Sequence, residues 1–94
     1  MIDIPDYPGF DPEMHIYHIK RGNSRGAWLS NRPIAKAVFE DLQFICDMTK
    51  YETPEEVLGD AGLKDWLRGI TVHRRGESVL ATFDLESWEW RRGE

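Results

Sequence analysis

The spacing of apolar and polar residues changes several times along the chain. From Met14 to Lys20 the sequence MHIYHIK sets Ile16, His18 and Lys20 against Tyr17 and Ile19. Strict alternation among residues that favour extended backbone predicts a strand. RGNSRG follows, a cluster suited to a hairpin loop, and GAWLS returns as a short second strand anchored by Trp28.

From Pro33 the period lengthens to that of a helix. Ser30 or Asn31 can cap it, and Pro33 suits the first turn, where its missing N–H is no loss. The helix should reach about Lys50. Its apolar residues, from Ile34 to Met48, spread over roughly 220° of the helix surface, about twice what packing on one sheet requires. A second cover is therefore expected, supplied by the N-terminal arm or the next helix. Thr53-Pro54-Glu55-Glu56 is a capping box with proline at the first helical position, and Gly59 and Gly62 keep that helix short. Leu63 to Gly69 adds a further turn or two. Ile70 to Leu85 reads as a second hairpin, with ITVHR and VLATFDL alternating around RRGES.

The order β-β-α-α-β-β predicts an α+β fold. A single small domain would carry an antiparallel sheet of two hairpins packed against one long helix and a short helical segment, with a C-terminal tail. Residues 14–94 form that domain. Residues 1–13 contain Pro5, Pro8 and Pro12 among Ile2, Ile4, Tyr7 and Phe10. Proline disfavours helix before it, so this segment is expected to lie along the domain as an extended arm held by its apolar side chains.

The tail LESWEWRRGE poses a problem of parity. Val79, Ala81, Phe83 and Leu85 share one face of the last predicted strand, whereas Trp88 and Trp90 fall on the other, with Asp84 and Glu86. If the strand runs on, both indoles stand exposed as a patch. If Glu86-Ser87 makes a bulge or turn, parity resets and the tryptophans rejoin the core. Burial favours the second reading, because two indoles left in water forgo a few kcal/mol.

Composition narrows the class. The chain has 94 residues, 40% of them apolar, 31% charged and 12% aromatic, which suits one folded domain rather than a disordered segment. A lone cysteine, Cys46, cannot form an internal disulfide and fits a reducing, cytoplasmic setting. The first residues show neither a basic start nor an apolar run, and no stretch approaches the length of a membrane span.

The net charge of −5 is unevenly distributed. Residues 14–36 carry five bases and no acid, whereas residues 37–62 carry seven acids and one base. The acids Glu40, Asp47, Glu52, Glu55, Glu56 and Asp60 are candidates for steering a basic protein partner, with Trp88 and Trp90 as its anchors if they are exposed. Both hairpin tips are basic. Lys20, Arg21 and Arg25 at one and Arg74 and Arg75 at the other are the alternative, a phosphate or nucleic-acid contact set. Overall acidity weighs against nucleic acid as the main ligand.

Catalytic signals are sparse. His15 and His18 fall on opposite faces of their strand, and no cysteine pair or carboxylate cluster of metal-binding spacing accompanies them. If the two hairpins share a sheet, His18, Lys20, His73 and Arg74 could converge as an acid–base and phosphate set. Nothing in the spacing requires this. RGNSRG lacks the Gly-Lys-Ser/Thr ending of a phosphate loop, and nothing implies a metal or cofactor. The sequence therefore points to a non-enzymatic, protein-binding inhibitor or adaptor acting by occlusion. Immunity proteins, antitoxins and phage-encoded inhibitors share this physical profile. A structural subunit of a larger assembly is a further alternative.

Overall fold

The structure, a computed structural model, describes residues 3–22, 26–60 and 62–92. Five strands form one antiparallel sheet in the order β2-β1-β3-β4-β5. They are β1 (His15–Arg21), β2 (Trp28–Ser30), β3 (Leu67–Arg74), β4 (Val79–Asp84) and β5 (Glu89–Arg92). Among the described residues, three helices lie between β2 and β3: α1 (Ile34–Met48), α2 (Pro54–Leu58) and α3 (Leu63–Trp66). The α+β class holds. The two expected hairpins share one sheet, joined through β1 and β3 at its centre.

Alternation in β1, β3 and β4 sends one apolar row inward. Tyr17, Ile19, Ile70, Val72, Ala81 and Phe83 meet Ile34, Ala37, Val38 and Leu42 of α1 in a single core, joined by Ile4 from the arm. α2 packs against α1 as the second cover that the apolar arc demanded. That cover is incomplete, because Phe39, Phe44 and Met48 remain exposed on α1.

Four details depart from the sequence reading. First, neither Ser30 nor Asn31 caps α1. Pro33 occupies the cap position and makes no side-chain cap bond, whereas Asp6 of the arm accepts the Ile34 N–H at 2.7 Å. Second, the helical turn expected over Leu63 to Gly69 is shorter: α3 ends at Trp66, and Leu67 to Gly69 already belongs to β3, which starts three residues earlier than Ile70. Third, the sheet has five strands. The chain reverses after Asp84, and the tail returns beside β4 with Phe83 opposite Trp90. Fourth, the reversal contains no glycine or asparagine. The Asp84 carboxylate accepts the amides of Glu86 at 2.8 Å and Ser87 at 3.3 Å, and Trp88 takes the left-handed conformation at φ 62°. Bulky residues seldom adopt that conformation.

Of the two parity readings, the structure follows the turn. Trp90 joins the core face, edge-on to Phe83 at 5.2 Å and stacked on Tyr17 at 5.7 Å, while Trp88 meets Phe83 at 5.1 Å. Both indoles are half-buried. Their N–H groups reach the arm: Trp88 Nε1 donates to the Asp3 carbonyl, and Trp90 Nε1 to the Pro5 carbonyl at 2.7 Å. The arm is thus tied to both α1 and the tail, and it turns at Pro8-Gly9 and again at Pro12–Met14.

Candidate functional site

The outer surface of the helical segment carries the largest group of exposed apolar side chains. Phe44 is 60% exposed, Met48 70% and Tyr51 44%. Their exposure follows from helical geometry. Ile34, Val38 and Leu42 define the buried stripe, and Phe44 lies well to one side of it. Met48 closes the helix, and Tyr51 follows in the connection to α2.

Acids border this group. Glu40 lies one turn before Phe44 and pairs with Arg32 at 3.0 Å, both side chains being exposed. Asp47, Glu52, Glu55, Glu56 and Asp60 are all exposed and make no ion pair among the described residues. Glu55 and Glu56 sit in the first turn of α2, where Thr53 accepts the Glu56 amide, so the helix dipole stabilises them. Three acids converge around Cys46. Burial pushes this thiol's pKa up, and the fields of Asp47, Glu56 and Glu55 push it further in the same direction.

Between α1 and β2 lies a cleft of about 310 Å³ lined by Arg21, Trp28, Glu40, Asp41 and Phe44. Part of its lining is a two-bond ion pair. Arg21 Nε donates to Asp41 Oδ2 at 2.6 Å, and Arg21 Nη2 donates to Oδ1 at 3.1 Å. Asp41 is buried within the helix stripe, so this pair explains how an acid occupies a core position. The sequence reading placed Arg21 at a basic tip and missed Asp41. The signal was available, because Asp41 falls on the apolar side of the predicted helix, where an acid needs a partner.

The basic residues do not form one surface. Lys20 lies opposite Gly69 at one end of the β1–β3 ladder, and Arg74 lies opposite His15 at the other. Arg21 is committed to Asp41, and Arg75 donates to the Pro12 carbonyl at 3.0 Å. Arg25 lies outside the described residues.

On the sheet face away from α1, one row crosses all five strands: Leu29, His18, Thr71, Thr82 and Arg91. His18 stacks on His73 of the neighbouring strand, with centroids 3.7 Å apart and planes 18° from parallel. Thr71 Oγ1 lies 3.0 Å from His73 Nε2, and Asp84 is tied to Arg91 at 2.7 Å on the same face. His18 and His73 therefore converge as envisaged, but Lys20 and Arg74 diverge from each other. Neither histidine lines the cleft described above, nor the clefts of about 430 Å³ at Asp3, Leu63, Lys64 and Trp88 and about 150 Å³ at Tyr7, Pro8, Trp90 and Arg92. His15 is buried on the other face, where Nδ1 accepts the Asp11 amide at 2.8 Å.

Among the described residues, no helix is long and apolar enough to cross a membrane. Compared with models of known families, with curated proteins and with solved structures, the chain matches none.

Proposed function

We propose that this protein is a small cytoplasmic inhibitor or adaptor that binds another protein through the outer face of its helical segment and occludes that partner's working surface. One observation carries the reading. Phe44, Met48 and Tyr51 stand exposed on one stretch of chain. Asp47, Glu52, Glu55 and Glu56 border them and hold no ion pair among the described residues. Apolar anchors ringed by charge of one sign suit a partner with the opposite sign and its own apolar residues. The partner is thus a basic, amphipathic protein surface. Trp88 and Trp90 spend their indole N–H groups on the arm, so anchoring falls to Phe44 and Met48 instead.

The test is a comparative retention experiment. Tagged wild-type chain and a Phe44→Ala/Met48→Ala variant, both checked for intact fold by circular dichroism, are exposed to native lysate, and retained proteins are identified. The reading expects a basic partner held by the wild type, released as salt rises, and lost in the double variant. Equal retention by both forms, or none by the wild type, refutes it.

A further inference from the structure

We infer that the cleft between Trp28 and Phe44 receives an arginine side chain of the protein partner, whose guanidinium group engages Glu40 while its stem and plane lie against the two rings. This assignment rests on the protein-binding reading above and names the contact at its centre.

The cleft has the attributes such a guest requires. At about 310 Å³ it is small for a ligand site and accommodates one long side chain. Its lining joins two aromatic side chains to two carboxylates and one guanidinium. Arg21 and Asp41 cancel each other through their two-bond pair, so Glu40 leaves the lining with a negative balance. Among the described residues Glu40 is held only by Arg32, at 3.0 Å, in a pair whose side chains are 57% and 40% exposed. Exposed pairs of this kind contribute little, so an incoming cation can replace Arg32 at small cost.

Arginine suits these walls better than lysine. A planar, weakly hydrated guanidinium stacks on aromatic faces and meets carboxylates with a fixed fork of donors, whereas an ammonium group holds its water more strongly. A carboxylate guest would face Glu40 and Asp41. The two clefts beside the arm are bounded by Asp3, or by Tyr7 and Pro8, of the arm and by the tryptophans that hold it. The Trp28 cleft uses neither.

The experiment titrates ¹⁵N-labelled full chain with N-acetyl-arginine amide and reads the Trp28 indole resonance. Matched titrations use the citrulline and lysine analogues. The expected result is a saturable Trp28 shift with arginine, a much weaker one with lysine and none with citrulline. Glu40→Gln should weaken the response. Arg32→Ala should tighten binding about two- to five-fold, because it frees Glu40 from an exposed pair.

No Trp28 shift, equal shifts with citrulline or lysine, or no gain in Arg32→Ala would each overturn the cleft assignment. That failure is distinguishable from failure of the function. If the Phe44→Ala/Met48→Ala variant loses a basic partner while Trp28 ignores arginine, protein binding stands and the cleft contact falls. If Trp28 responds to arginine as expected but the wild type retains no partner, the cleft stands and the occlusion reading falls.

Discussion

Asp6 caps helix α1 from 28 positions away, its carboxylate accepting the Ile34 amide at 2.7 Å. The same oxygen accepts the Tyr17 hydroxyl at 2.9 Å, and that hydroxyl in turn accepts the Tyr7 amide at 3.1 Å. Burial, more than any other influence, pushes the Tyr17 pKa up, so the phenol stays protonated and remains a donor to Asp6. One acid of the arm therefore satisfies a helix end and a buried phenol together.

Asp6→Ala removes the acceptor of both bonds and should destabilise the fold by about 2 kcal/mol. In a domain of this size that lowers the melting temperature by roughly 8–16 °C. Asp6→Asn keeps a side-chain carbonyl for Ile34 and should recover most of the loss. Thermal unfolding of the two variants, followed by circular dichroism, checks the expectation; an alanine variant melting with the wild type would refute it.

Trp90 performs two separable jobs, filling space beside Phe83 and Tyr17 and donating to Pro5. Trp90→Phe should cost about 1 kcal/mol, the worth of the lost hydrogen bond. Trp90→Ala should cost about 2–3 kcal/mol, less than a fully buried tryptophan because this one is half-exposed. Both should speed proteolytic cleavage between residues 3 and 12, with alanine the faster, since the arm loses its tie to the tail. Unchanged cleavage in the alanine variant would mean that the arm is held without Trp90.

The stacked histidines set a pH dependence. Burial, and then the neighbouring His73, hold the His18 pKa below its ordinary value of 6.5. Unfolding restores the ordinary value, so the unfolded chain binds the proton more readily. The stability supplied by neutral His18 is fully present above about pH 6.5 and is lost as the pH falls below it. The other charged groups that the strands place on this face are Lys20, Glu89, and Asp84 with Arg91. Hydrogen bonding from Arg91 holds the Asp84 carboxyl well below the usual carboxylate range, so Asp84 affects stability in a separate, more acidic window. His73→Phe keeps a flat ring beside His18 but removes its charge. Melting temperatures at about pH 7.5 and pH 5 should differ less in this variant than in the wild type. An identical difference would show that the stack does not govern the slope.

Cys46 should behave as an inert thiol. It is buried, and Asp47, Glu56 and Glu55 add to the burial that raises its pKa. Thiolate, the reactive form, is therefore scarce near neutral pH. Alkylation by iodoacetamide should be slow in the native chain and fast once denaturant exposes the residue. Mass spectrometry of timed samples measures both rates, and rapid native labelling would contradict the packing of α1 against α2.

Much of the architecture could be read directly. Alternation at Tyr17 and Ile19 located β1, and Thr53-Pro54-Glu55-Glu56 located α2 and its cap. These signals are local, so neighbouring residues suffice. β5 escaped because its turn lacks the usual glycine or asparagine and uses the Asp84 carboxylate and the Trp88 backbone instead. The Asp6 cap and the Arg21–Asp41 pair escaped because each joins residues remote in sequence. Of the proposed site, the acids were legible as a charge block, but the exposed Phe44 and Met48 were read as interior. Apolar periodicity counts how many residues want cover, not whether the fold supplies it.

The two indole bonds to the arm each span 85 positions. During synthesis Asp3 and Pro5 therefore wait for their partners until residues 88 and 90 have left the ribosome. Loop closure over that length depends only weakly on the exact number of residues, but it cannot begin before both ends exist. The indole ties are consequently late to form, and nascent chains truncated before residue 88 should leave the Asp3 end of the arm open to chaperones and proteases.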